Sequence, residues 1–359
     1  MHKGIDLIQL LRGVAALLVC FFHMKGILPE NHLGQKLFGN GSVGVPLFFM
    51  ISGFIMVHTT RNMASGWSSI RWFLHKRLAR ILPLYLICTV ISISILDQWF
   101  LYIHEHPERL VRALLFIPSF HILLGPSYGF PPLAVGWSLN YEMYFYLLLA
   151  VSLLIPRRRW FWICSFLAAF VWLIPFLKFG YISQTMTHAY PFSWKYLNLM
   201  CNPVLLFFLS GIVSGLIYHR INPGLPIWLA NGFMVVASLV FILTYARIWL
   251  PLPGIGSYLL SSWLLLFSVL VRHRIQAMHL PGLLVFPGDV SYSLYLIHPL
   301  VITGVPRILD SLKLPIQTSG WLYFFTILLL TLILSYHSYQ LIEQRFGKWL
   351  LAPNKKPAE

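Results

Sequence analysis

Long apolar runs separated by short polar or basic segments repeat along the whole chain. Runs of roughly 17 to 23 residues suit a hydrocarbon core of about 30 Å. They fall at 7–28, 42–58, 81–101, 137–155, 160–179, 199–217, 227–246, 257–271, 289–305 and 321–342. This pattern predicts an all-α polytopic membrane protein with about ten transmembrane helices. The second and eighth runs are short and rich in small or polar residues. A further apolar patch at 110–124 contains Arg112, Pro118 and His121, which predicts a re-entrant or interfacial segment rather than a crossing.

The first run carries two groups that a plain anchor would not tolerate, Arg12 and His23. At about 100° per residue, the steps between them amount to three turns plus roughly 20°, so both share one helix face about 16 Å apart. An ionisable side chain within a span costs roughly 2.5–3.5 kcal/mol, and such residues face a bundle interior or a pathway. The other helices are therefore expected to wall in that face.

Composition agrees with the pattern. The 359 residues are 58% hydrophobic and only 10% charged, outside the range of soluble domains. The net charge of +16 would suggest nucleic acid in a soluble protein. Here the basic residues sit in short segments between apolar runs, where they set topology, so no nucleic-acid partner is expected. With ten spans, Arg61, Arg71, Lys76, Arg77, Arg80 and the run 157–159 fall on the same side as the N-terminus. That side holds more Lys and Arg than the other, which predicts both termini in the cytoplasm. Cys20, Cys88, Cys164 and Cys201 lie within apolar runs without metal-ligand spacing and read as core residues. No cleavable signal peptide is evident. The expected organisation is one membrane domain over 1–348 and a disordered cytoplasmic tail over 349–359.

Several polar residues could carry chemistry. Glu142 lies about 8 Å into a span starting at Trp137, and His23 lies at a matching depth in its own span. A carboxylate beside an imidazole orients it and stabilises its protonated form, as a general base acting on an alcohol requires. Each could equally satisfy a separate core partner. Arg77 and Arg80, three residues apart, could fork around phosphate oxygens or simply anchor the third span among lipid headgroups. Ser291, Tyr292, Ser293 and Tyr295 give the ninth span a polar stripe that leads to His298 near mid-membrane, where it would line a cavity. Gly39-x-Gly41-x-x-Gly44 follows no strand and reads as a tight re-entry into the membrane, not a dinucleotide site. His104-Glu105-His106 is a poor metal fit, and no metal site is expected.

Five motifs in order resemble the acyltransferase-3 family of membrane O-acyltransferases. They are Arg12-Gly-x-Ala15 with His23, Gly44-Val-Pro-Leu-Phe-Phe-Met-Ile-Ser-Gly-Phe54, Arg77-x-x-Arg80-Ile-x-Pro83-x-Tyr85, Trp137-Ser-Leu-Asn-Tyr-Glu142-Met-Tyr-Phe-Tyr146 and Ser291-Tyr-Ser-Leu-Tyr-Leu-Ile-His298-Pro299. The Trp-Ser-Leu-Asn-Tyr-Glu block is most similar to the branch that acetylates bacterial exopolysaccharides. The resemblance implies about ten helices in a bacterial inner membrane. It also implies a cytoplasmic acyl-CoA co-substrate, with no permanently bound cofactor, and transfer of an acyl group, usually acetyl, to a carbohydrate hydroxyl. It makes Arg12 and His23 the essential pair, and Arg12, Arg77, Arg80 and Tyr85 are the acyl-CoA-binding candidates. Glu142 becomes a catalytic candidate, and Trp137, Ser291, Tyr292 and His298 become cavity-lining candidates. Many members have Asp where this chain has Pro46, so a role for that acid does not transfer. The chain also lacks the soluble esterase-like domain that some relatives append, so the membrane unit is expected to complete transfer alone. A transporter or flippase of a lipid-linked sugar is the competing expectation, against which stands the absence of an obvious inverted repeat. A non-catalytic scaffold for polysaccharide assembly is a third.

Overall fold

The structure is a computed structural model describing residues 5–28, 33–95, 104–155, 158–248 and 252–351. The described residues form helices joined by turns and non-helical segments, with no strand. In chain order the helices are α1 (Asp6–Met24), α2 (Leu33–Phe38), α3 (Gly44–Thr60), α4 (Trp67–Ile95), α5 (Pro107–Leu114) and α6 (Trp137–Ser152). They continue with α7 (Arg159–Phe179), α8 (Leu205–Tyr218), α9 (Ile227–Tyr245), α10 (Gly256–Ile275), α11 (Gly282–Asp289) and α12 (Ser291–Ser311). The last long helix is α13 (Trp321–Phe346), and short helices lie at Leu197–Met200 and Gly347–Leu351.

Every expected apolar run contains a helix, but the lengths differ from expectation. Among the described residues, eight helical segments are long and apolar enough to cross a membrane, whereas α8 is a shorter apolar helix and α6 has only 16 residues. The runs at 42–58 and 257–271, expected to be marginal, lie in full-length segments, Leu33–Thr60 and Gly256–Ile275. The third span changes most. It starts at Trp67, so Arg71, Lys76, Arg77 and Arg80 lie within a 29-residue helix rather than in the preceding loop. Its expected continuation over 96–101 lies outside the described residues, as do Arg157 and the tail from 352 onward. The patch at 110–124 is a short helix, α5, followed by non-helical chain. The Gly39–Gly44 stretch makes a 3-10 turn over Gly41–Val43 that leads into α3.

The chain divides into two compact units, with the boundary falling inside α1. The first comprises residues up to Leu18, Asn40–Met63 and Arg157–Asp289. Small residues let its helices approach closely. A Cβ on Gly53 would lie 2.3 Å from the Phe208 carbonyl oxygen, and one on Gly211 would lie 2.0 Å from that of Met50. Phe49 and Phe208 stack at 4.5 Å across the α3/α8 seam. Without a hydrophobic drive between helices in lipid, such backbone proximity and interhelical hydrogen bonds hold the bundle. One such bond runs from Trp263 Nε1 on α10 to Ser214 Oγ on α8 at 3.0 Å.

The second unit comprises Val19–Gly39, Ala64–Pro156 and residues from Val290 onward. Here α12 packs on α4 and α13, and α4 packs on α6. Tyr292 donates to the Ile81 carbonyl at 2.8 Å. Pro299 and Pro306 lie inside α12 and Pro83 inside α4, which membrane helices tolerate when neighbours satisfy the freed carbonyls. Apolar side chains point outward, among them Leu86, Ile87, Val90 and Ile91 on α4 and Leu322, Phe325 and Leu329 on α13, whereas Ser291, Ser293, Thr331 and Ser335 are fully buried. This inversion of the soluble pattern is that of helices immersed in lipid.

Candidate functional site

The second unit gathers most of the ionisable side chains that the sequence singles out. His23 lies on the last turn of α1, and its ring centroid is 5.2 Å from that of His298 on α12. His23 is exposed, but His298 is 0% exposed. His298 Nδ1 lies 3.0 Å from the Leu294 carbonyl, one turn back. A carbonyl only accepts, so Nδ1 carries the proton and Nε2 keeps its lone pair. Nε2 is buried with no hydrogen-bond partner. An imidazole with a bare nitrogen therefore stands beside the exposed one. Tyr295 borders the pair, its ring 6.0 Å from that of His298 and its hydroxyl 2.7 Å from Ser138 Oγ.

Depth alone matched Glu142 to His23. The structure gives the imidazole a ring partner, His298, and gives the carboxylate a phenol, Tyr146, which donates to Glu142 Oε1. Arg77, 8% exposed, lies over the same Tyr146 ring at 5.5 Å and over Phe73 at 5.6 Å. It is also within electrostatic reach of Glu142. The longer α4 explains this placement: Arg77 is ten residues past Trp67, about 15 Å along the helix, where α4 packs against α6. A buried guanidinium needs a compensating carboxylate, and Glu142 supplies one. Arg80, one turn on, is exposed, so the two guanidiniums differ in their access to solvent. Glu343 on α13 accepts from Ser293 Oγ at 2.5 Å and, with Arg80 and Glu142, lies within reach of Tyr292.

Other expected residues fall elsewhere. The Tyr85 hydroxyl donates to the Ala113 carbonyl at 3.1 Å and its ring stacks on Phe116 at 4.9 Å, which ties α4 to the last turn of α5 and the residues after it. Trp137 is half-buried and meets Tyr141 edge-on at 6.1 Å. Ser291 is fully buried. Among the described residues no three His, Cys, Asp or Glu side chains converge as metal ligands.

Arg12 belongs to a cluster in the first unit. Its Nη1 donates to Gln9 Oε1 at 2.8 Å, and Gln9 Nε2 donates to Asp289 Oδ1 at 2.8 Å. The next residue, Gly13, permits this: a Cβ there would lie 2.8 Å from Pro287 Cβ, and one on Gly288 would lie 1.9 Å from the Gln9 carbonyl oxygen. The Arg-Gly pair thus presses α1 onto α11 while the guanidinium is held through an amide relay. Sequence reading passed over Gln9, Asp289, Tyr146 and Ser138 as site residues and placed Tyr295 only in the polar stripe of the ninth span. Helical spacing carried a signal for three of them, since Gln9 precedes Arg12 by three, Tyr146 follows Glu142 by four and Tyr295 precedes His298 by three.

The polar clusters on α1, α4, α6 and α12 coincide with four of the five ordered motifs, and the fifth, at 44–54, lies in α3. A family model described as an acyltransferase domain matches residues 5–339. The chain belongs to the acyltransferase-3 family. Among relatives of this acyltransferase, it is 28% identical over 286 residues to exopolysaccharide production protein ExoZ of Rhizobium meliloti, covering 77% of this chain and 82% of that protein. It is 28% identical over 313 residues to acyltransferase MdmB of Streptomyces mycarofaciens, covering 81% of this chain and 77% of the relative. Against O-acetyltransferase OatA of Staphylococcus aureus it is 25% identical over 349 residues, 90% of this chain but 56% of OatA. No solved structure matches this acyltransferase.

Proposed function

We propose that this acyltransferase moves an acetyl group from acyl-CoA to a hydroxyl of an exported polysaccharide or its lipid-linked precursor. It would work in a bacterial inner membrane with both termini in the cytoplasm. The observation that carries this reading is the His23–His298 pair, an exposed imidazole against a buried one whose Nε2 is bare. Support comes from the family match across the chain and from relatives named for exopolysaccharide production and O-acetyl transfer.

The donor lies along α1, whose span of about 16 Å from Arg12 to His23 suits an extended thiol arm. The exposed Arg80 is available to its phosphates, whereas Arg77 is committed to Glu142 and Tyr146. His23 takes the proton of the sugar hydroxyl as its oxygen attacks the thioester carbonyl. The carbon–sulfur bond breaks, and the thiolate leaves with the proton from His23, releasing the ester and free CoA. His298 steadies His23 through that cycle.

The test is purified protein in nanodiscs with acetyl-labelled CoA and candidate glycans. Label in the glycan with matching release of free thiol supports the reading. Movement of glycan across the bilayer without label would replace it with transport.

A further inference from the structure

A second group of imidazoles lies at the end of the first unit where α1 begins, outside the clusters described above. His58 comes from the last turn of α3, His219 follows α8, and His273 and Arg274 come from the last turn of α10. They surround the Tyr218 ring, with centroids at 5.9 Å for His58, 5.1 Å for His219 and 6.5 Å for His273, and with Arg274 over the ring at 5.8 Å. His58 stacks on His219 at 5.6 Å with an interplanar angle of 2°. The N-terminal end of α1 is at the same place: Asp6 accepts from the Leu280 backbone N–H at 3.1 Å and pairs with His279 at 3.5 Å.

Hydrogen-bond accounting shows what this group lacks. Arg61 Nη1 lies 2.9 Å from His219 Nδ1. A guanidinium only donates, so Nδ1 is the acceptor and the ring proton sits on Nε2. That Nε2 is buried with no partner, and so is His273 Nδ1. Burial first, then Arg61, His58 and Arg274, hold the His219 imidazole below its usual range, which keeps it a neutral donor. Setting topology requires only basic side chains in loops. It does not explain imidazoles drawn from three helices onto one ring with buried nitrogens lacking partners. Arg272, by contrast, is already engaged by Asn231 Oδ1 at 2.7 Å.

We propose that this cluster is a phosphate-binding site. A phosphate offers several acceptor oxygens and negative charge to the His219 N–H, Arg61 and Arg274 together. His58, Arg61 and Arg274 are exposed and can re-orient around it. Two sources share this chemistry: the nucleotide phosphates of an acyl-CoA donor and the headgroup of an anionic phospholipid. Only the first rests on the proposed transfer reaction.

The experiment uses the full chain in nanodiscs of phosphatidylcholine. It is titrated calorimetrically with adenosine 3′,5′-bisphosphate, and in a second arm phosphatidic acid is counted by native mass spectrometry. The variants are the double substitution Arg61→Gln/His219→Gln and, to guard against misfolding, Arg274→Gln and Arg61→Lys. Binding of either probe that weakens tenfold or more in the Gln variants and recovers in Arg61→Lys supports the site, and the responding probe names the source. No binding by wild type, or equal binding by all variants, overturns it. Acetyl transfer is assayed separately, so bisphosphate binding without transfer would keep the site and discard the transfer reaction.

Discussion

The ring of His23 lies 5.2 Å from that of His298, and the deeper imidazole keeps a bare, buried Nε2. If His23 is the base and His298 steadies it, the two substitutions should differ in kind. His23→Ala should remove general-base catalysis, typically worth 10²- to 10⁴-fold. His298→Gln should lower kcat by about tenfold and shift the pH–rate profile while KM for the donor holds. An unchanged pH profile in His298→Gln would reduce that residue to packing.

Tyr146 links two charges within the second unit, since its hydroxyl donates to Glu142 and its ring carries Arg77. Tyr146→Phe removes one hydrogen bond to a half-buried carboxylate, a loss of about 1.5–3 kcal/mol for a bond to a charged group. Melting of the detergent-solubilised protein should show it. A double-mutant cycle with Glu142→Gln should give a coupling of about 0.5–3 kcal/mol. Strict additivity would mean the contact contributes nothing.

Arg12 is held by a relay in which Gln9 accepts from the guanidinium and donates to Asp289. Asp289→Ala removes the far end of that relay. Losing one hydrogen bond of about 1 kcal/mol corresponds to roughly fivefold weaker donor binding. KM for acetyl-CoA should therefore rise about fivefold with kcat nearly unchanged. A fall in kcat at constant KM would place Asp289 in the chemistry instead.

Gly211 and Gly53 set the spacing of α3 and α8. A methyl group at Gly211 would sit 2.0 Å from the Met50 carbonyl oxygen, so the helices must part to accommodate it. Gly211→Ala should destabilise the protein by about 1–3 kcal/mol, as overpacking does, and lower its melting midpoint. The control Gly232→Ala, inside α9 where a Cβ meets nothing within 4 Å, should hold the midpoint or raise it slightly.

Much of this was legible in the sequence because lipid imposes a simple rule. Spanning helices must be long and apolar, and each of the ten runs does contain a helix. Hydropathy misplaced the start of α4 because Arg71, Lys76, Arg77 and Arg80 mimic a loop anchor. A helix that buries Arg77 against Tyr146 looks the same in a hydropathy window as one that meets water. Motif order indicated the family, and helical periodicity placed Arg12 and His23 on one face. Partners across helices were beyond reach, since which helix lies beside which is written in no single segment. His23 therefore met His298 and not the carboxylate at matching depth, and Tyr85 proved to be committed to Ala113 and Phe116.

The most direct test of the account is acetyl transfer by wild type and His23→Ala, purified alike into nanodiscs and given acetyl-labelled CoA and glycan. The account predicts labelled glycan and stoichiometric free CoA from wild type, and neither above background from a variant that melts as wild type does. Equal labelling by both proteins would contradict it.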